Sequence, residues 1–129
     1  MNELASDKWI EYAEEDYRAA MKLEPNDTPG PVCNHCQQCI EKYLKAVIVH
    51  YGLSAPRHHD LVRLAKPATD HERRVQDLLP DLELLNPHAV DARYPDQGPD
   101  PTPGDAEAAR LIMETVRSQL RSFLGLDSE

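Results

Sequence analysis

Two groups of residues have the types and spacing that chemistry needs, and both fall in one short stretch. Cys33, His35, Cys36 and Cys39 form the pattern C-x-H-C-x-x-C, which invites a metal. Thiols three apart on a helix are turned through about 300°, so the three would span roughly a third of its circumference and converge only loosely. No second CxxC or matched pair of histidines completes a four-ligand set, and a free cysteine packs well as a small hydrophobe, so the expectation is core packing and no metal. The second group is Gln37, Gln38, Glu41, Lys42 and Lys45, at intervals of one, three or four, which places them along one side of the same helical segment.

Two further places carry candidate groups. Residues 91–95 read DARYP, so Arg93 and Tyr94 sit where Pro95 must end a helix. Arg93 offers a planar fork for phosphate or carboxylate, and Tyr94 offers a face on which a base can stack. The alternative is an Arg bonded to helix-terminal carbonyls with Tyr94 packed as a cover. His59, followed by Asp60, reads equally as part of a helix cap. His58, His59 and His71 lack the two-histidine spacing of a zinc hydrolase, and the chain has no Gly-rich phosphate loop or nucleophile elbow.

Helices are needed to position these groups. Residues 33–51 contain no Pro or Gly, and Cys36, Ile40, Tyr43 and Val47, with Cys33, Leu44 and Ile48 one step round, make an apolar stripe that predicts the central helix of a bundle, ending near Gly52. A first helix over residues 3–23 turns Trp9, Ala13, Tyr17 and Ala20 inward and Glu11, Glu14, Glu15, Arg18 and Lys22 outward, and the turn EPNDTPGP joins the two as an antiparallel pair. Leu61, Val62, Leu64 and Ala65 predict a brief third helix that stops before Pro67, and Asp70 is placed to cap a fourth. Pro80 should kink or divide that fourth helix, with Leu82, Leu85 and Ala89 inward beyond it. Residues 95–104, PDQGPDPTPG, are a loop, and a final amphipathic helix over residues 105–124 buries Ala109, Ile112, Met113, Val116, Leu120 and Phe123. With no alternating strand, internal repeat or second core, the prediction is one all-α domain over residues 1–129, an up-and-down bundle of five to six helices.

Composition narrows the function. At 129 residues the chain can bury roughly two-thirds of its unfolded surface, so no disulfide staple is required. No run of 18 apolar residues exists, which excludes a transmembrane helix from the reading. The acidic, amphipathic start is unlike a signal peptide, and an odd number of cysteines suits a reducing compartment, so a cytoplasmic location is expected. The net charge of −9 disfavours general adhesion to nucleic acid, and any anion site must be local. One local excess is the segment 57–74, where Arg57, Arg63, Lys66, Arg73 and Arg74 outnumber Asp60, Asp70 and Glu72 beside three histidines. The alternative there is an ordinary solvated face.

Three separated motifs then agree. HCQQCIEKYLKAVIV at 35–49 resembles the central helix of the HEPN domain family, HHDLVRLA at 58–65 its HDL segment, and DARYPD at 91–96 its RYP segment. AEEDYRAA at 13–20 is similar to its first helix. The resemblance implies an all-α up-and-down bundle, a homodimer, and a family associated with nucleotides and RNA, some of whose members are encoded beside a small nucleotidyltransferase as a two-component, toxin–antitoxin-like module. Carried over by position, Gln37, Glu41, Lys42, Lys45, His59, Arg93 and Tyr94 are the expected lining of a ligand groove. There Lys45 and Arg93 would neutralise phosphate, Tyr94 would stack or donate, and Gln37 and Glu41 would orient by hydrogen bonds. HEPN ribonucleases carry an Arg followed after four to six residues by a His, and no Arg here has that spacing: Arg63 to His71 is too long, and no His follows Arg93. The expectation is a nucleotide- or partner-binding protein without catalysis of its own and without a cofactor. A metal-independent ribonuclease using Arg93 and His59 is the alternative, and a dimeric interaction module with no small ligand is the second.

Overall fold

The computed structural model describes residues 3–89 and 98–126, and within them all the regular secondary structure is helical. Helix α1 spans Glu3–Lys22 and α2 spans Pro29–His50. Pro29 and Pro31 occupy the first turn of α2, where a missing N–H leaves no bond unmade. The helix ends at Gly52, whose φ of +88° is a left-handed conformation that glycine adopts without a Cβ clash. Contacts fix the directions of the helices. Trp9 lies against Lys45 and Asp16 against Lys42 and His35, so α1 runs antiparallel to α2.

Helix α3 spans Leu61–His71 and starts from Asp60, whose carboxylate accepts from the backbone N–H groups of Val62 and Arg63. Tyr51 stacks on His71 while the backbone of His59 is bonded to Gln37. The chain between them therefore doubles back along α2, and α3 runs parallel to it. Pro67, expected to end this helix, lies inside it. One backbone bond is lost there, but Leu61, Leu64, Ala65 and Ala68 are buried on both sides of the proline, and that burial holds the helix together. Asp70 therefore lies within α3 rather than at a cap. Glu72, in extended conformation, caps the 3₁₀ segment Arg73–Leu78 in its place.

Pro80 divides the next stretch as expected, by serving as an early residue of α4, Leu79–Leu85. A 3₁₀ turn, Asn86–His88, follows. Helix α5, Pro103–Phe123, begins with a capping box in which Thr102 and Asp105 satisfy each other's backbone N–H groups. Tyr17 meets Glu114 and Glu14 meets Arg117, so α5 is antiparallel to α1 and parallel to α2. The core is centred on α2, with Ile40, Tyr43, Leu44 and Ile48 enclosed by α1, α3, α4 and α5. Among the described residues five α-helices and two 3₁₀ segments make the all-α bundle anticipated from the apolar stripes. Among the described residues no helix is long and apolar enough to cross a membrane.

Candidate functional site

Gln37, Glu41 and Lys45 are spaced four apart and form one line along α2, facing the returning chain. All three are at most 4% exposed. Lys45 Nζ donates to Glu41 Oε2 at 2.9 Å, and His59 Nδ1 lies 2.9 Å from the same oxygen. Gln37 Nε2 donates to the backbone carbonyl of His59 at 2.9 Å. One carboxylate oxygen thus serves a buried ammonium and an imidazole that is 51% exposed. The Lys45 ammonium also sits 5.3 Å from the centre of the Trp9 ring, whose face attracts a cation. Gln37 Oε1 is buried and has no hydrogen-bond partner among the described residues, which is costly for an amide oxygen removed from water.

The position of His59 is set by its neighbours. Asp60 Oδ1 accepts from Asn86 Nδ2 at 3.0 Å, and Asn86 Oδ1 accepts from the Leu61 backbone at 2.8 Å, tying the start of α3 to the end of α4. Partial burial pushes the Asp60 carboxyl up, but the N–H groups of Arg63 and Val62 and the Asn86 amide outweigh it and hold the group below its ordinary range. Burial, with Arg63 adding to it, lowers the pKa of the adjacent His58.

The structure brings together Gln37, Glu41, Lys45 and His59, and it does not bring Lys42 to them. Lys42 turns to α1, where Asp16 is held between it and His35 Nδ1 at 2.8 Å. Gln38 is bonded to Asn34, whose amide donates to the carbonyl of His88 at 3.1 Å. The single polar side read from the sequence is therefore divided between two neighbours of α2. Arg93 and Tyr94 lie outside the described residues. The chain leading towards them is held by Asn34 at His88, about one helical turn from Gln37 and Gln38.

A second polar network went unread in the sequence. Arg117 donates from Nε and Nη2 to the two oxygens of Glu14, at 2.7 Å each, and packs 3.8 Å from the centre of the Tyr17 ring. The Tyr43 hydroxyl donates to Glu14 and accepts from Arg121 at 2.9 Å. Burial raises the Glu14 carboxyl, and its bonds to Arg117 and Tyr43 more than reverse that, leaving it below the carboxylate norm. The signal was available: Arg117 is spaced with Met113 and Leu120 on the apolar stripe of α5, and Glu14 with Ile10 and Tyr17 on that of α1.

Cys33, Cys36 and Cys39 are buried in the core. Burial pushes the Cys36 thiol up to about 12 and the Cys39 thiol well above its usual value, so neither is a thiolate near neutrality. Among the described residues no group of three metal-ligating side chains is assembled.

What the cluster on α2 can do chemically follows from its charges. A half-exposed imidazole, oriented by a buried carboxylate and backed by a buried ammonium, can meet an anion or exchange a proton at the surface.

A model of the HEPN domain matches residues 6–122. A protein of Methanocaldococcus jannaschii, named "Putative toxin MJ1304", is 31% identical over 131 aligned positions, which cover 90% of this chain and 86% of that protein. The crystal structure of TT1696 from Thermus thermophilus has the same fold, with a TM-score of 0.75 and 23% identity over 95% of this chain and 99% of that one. The matched span runs from α1 to the end of α5 and includes the whole polar cluster, and the chain belongs to the HEPN domain family.

Proposed function

We propose that this protein is the HEPN component of a two-component, toxin–antitoxin-type module, and that its polar cluster binds a nucleotide, or a partner nucleotidyltransferase presenting one, without catalysis of its own. The observation that carries the reading is the sharing of Glu41 Oε2 by Lys45 and His59, together with a Gln37 oxygen that has no partner among the described residues. A buried ion pair contributes little net stability compared with apolar residues of the same size, so its retention points to a task other than folding. The name of the M. jannaschii relative supports the toxin–antitoxin setting. The lack of an Arg-to-His spacing of four to six residues supports binding over cleavage.

In this reading His59 is the group that meets phosphate, and Glu41 orients it. Lys45, with a side chain only 5% exposed, acts through its field. Arg93 supplies the second cationic contact, Tyr94 the stacking face, and Lys42 remains in its pair with Asp16. The protein acts as a homodimer. Calorimetric titration with ATP at low salt tests the site. Saturable binding that is lost in both His59→Ala and Arg93→Ala is expected, and no binding by the wild-type protein would overturn the nucleotide reading.

One observation favours a second reading, a metal-independent ribonuclease. A carboxylate on Nδ1 is the arrangement that fixes the orientation and tautomer of a general base, and Glu41 stands in that position to His59. Labelled RNA incubated with the protein in EDTA decides it. Cleavage abolished by both His59→Ala and Arg93→Ala would replace the binding reading with this one.

A further inference from the structure

Asp16 on α1 is buried and divides its carboxylate between two groups of α2. Oδ1 lies 2.8 Å from His35 Nδ1, and Oδ2 accepts from Lys42. His35 and Lys42 are about two turns apart on α2, so both stand on one side of it, with Gln38 between them. The helix is otherwise enclosed: between Val32 and Val49 only Asn34, His35, Gln38 and Lys42 are not buried. The side chains of His35 and Lys42 are 33% and 25% exposed, and they face solvent from either end of that strip.

An ionised carboxylate only accepts, so Nδ1 of His35 carries the proton and the neutral ring has its lone pair on Nε2. Nε2 makes no bond to a described residue and is not shut away from water. The bond to Asp16 ties α1 to α2, but it uses one nitrogen of the ring. The other is a nucleophile with a carboxylate behind it and an accessible ammonium on the same carboxylate. Four other imidazoles lack that combination. His58 accepts the Asp60 N–H at Nδ1, which leaves its proton on Nε2, and His50 and His71 meet the Tyr51 ring. His59 faces a carboxylate too, but the ammonium sharing it, Lys45, is enclosed.

We propose that His35 Nε2 is a covalent acceptor site for the phosphoryl group of a small activated donor, an acyl phosphate or a phosphoramidate. The Nε2 lone pair attacks phosphorus and a P–N bond forms. The bond from phosphorus to the carboxylate or ammonia leaving group breaks, and that group departs with the electron pair. No proton has to move. The ring, now bonded to hydrogen at Nδ1 and to phosphorus at Nε2, is a cation, and Asp16 at 2.8 Å stabilises it as a carboxylate stabilises any imidazolium. Lys42 keeps N–H groups beyond the one given to Asp16, and an ammonium there selects an anionic phosphoryl group over a neutral acyl group. The site is separate from the cluster at Glu41, and its reaction does not depend on the nucleotide reading.

Phosphorus NMR and peptide mass spectrometry of the native protein, incubated with acetyl phosphate in one arm and phosphoramidate in the other, test the proposal and separate the two donors. A phosphohistidine linked through Nε2 of His35 is expected from one donor or both, formed about tenfold faster than any product at the exposed His71. In denaturant that advantage should vanish. His35→Gln should abolish the product, and Lys42→Met and Asp16→Asn should each slow it about tenfold by removing one charge beside the reacting group. Circular dichroism checks that the variants fold, and the comparison of His35 with His71 inside the wild-type protein needs no variant. Equal rates at His35 and His71, a product on His59 in place of His35, or a rate indifferent to Lys42→Met would each overturn the proposal.

Discussion

Replacing Glu41 by Gln keeps the volume and a hydrogen-bond acceptor but removes the charge that faces Lys45 and His59. The side chains of Glu41 and Lys45 are each only 5% exposed, so the variant leaves an ammonium buried without its counter-ion. Breaking such a pair by removing one partner costs about 3–5 kcal/mol. The Trp9 ring, 5.3 Å from the ammonium, stays in place and offsets about 1 kcal/mol of that. The expected loss is then about 3 kcal/mol, which for a chain of this length lowers Tm by about 11 °C. Lys45→Met should cost somewhat less, because the His59 ring keeps its bond to the same Glu41 oxygen. The double variant Glu41→Gln, Lys45→Met should recover to within about 1 kcal/mol of the wild type, since two desolvated charges are removed together. Urea and thermal melts at neutral pH measure all four proteins, and calorimetry with ATP follows on the folded ones. The expectation is a double variant that is stable and binds no nucleotide. Single variants that each cost less than about 1 kcal/mol, or costs that simply add in the double, would show that water reaches the pair, and the reasoning from its burial would fail.

The remaining predictions concern the frame around that cluster. Because the folded pKa of Glu14 lies below its unfolded value, the stability it contributes is complete above the unfolded value of about 4.3 and is lost as pH falls through the folded one. A double-mutant cycle of Glu14→Gln with Arg117→Met should therefore give a coupling of about 2 kcal/mol at neutral pH. A coupling that persisted undiminished at about pH 2 would contradict the assignment. A disulfide thiol reagent at mildly alkaline pH should leave all three cysteines unmodified in the native protein and modify all three in denaturant, and fast native labelling would contradict their burial. Asp60→Ala removes the cap of α3 and the partner of Asn86, and should cost about 1–2 kcal/mol in urea melts.

The long helices were legible because their signal is the apolar stripe, which repeats over many turns. Ile40, Tyr43 and Val47 are buried where that stripe places them. What failed was local. Pro67 marks a helix end in isolation, and only the burial of Ala68 beyond it explains why α3 continues. The polar line at Gln37, Glu41 and Lys45 could be read from its spacing of four. The departure of Lys42 could not: one residue turns a helix by about 100°, and whether the next position meets α3 or α1 depends on where those helices pack. Asp16, its partner, carries no motif of its own. His59 entered through the resemblance to a family segment, since nothing in local periodicity carries a loop histidine back to Glu41. Glu14 was misread as outward, and Arg117 was left off the buried stripe of the last helix, because charge overrode position, although their spacing placed both on the inner stripe.

The two polar sides of α2 differ in how completely they are satisfied, and that difference separates a structural network from a candidate site. Towards α1 and α5, Glu14 takes both nitrogens of the Arg117 fork and the Tyr43 hydroxyl, Tyr43 takes Arg121, and Asp16 takes Lys42 and His35. Each bond there joins two helices, and such a network fixes which faces meet. Towards α3 the same helix leaves the Gln37 oxygen without a partner among the described residues and holds an ammonium and an imidazole on one carboxylate oxygen. An unsatisfied buried oxygen costs about 1–3 kcal/mol, and an apolar residue at position 37 would avoid it. A fold that closes its polar groups so fully on one side of α2 had the means to close them on the other. Leaving that side incomplete, next to the half-exposed His59, is the arrangement expected where a ligand or partner supplies the missing contacts.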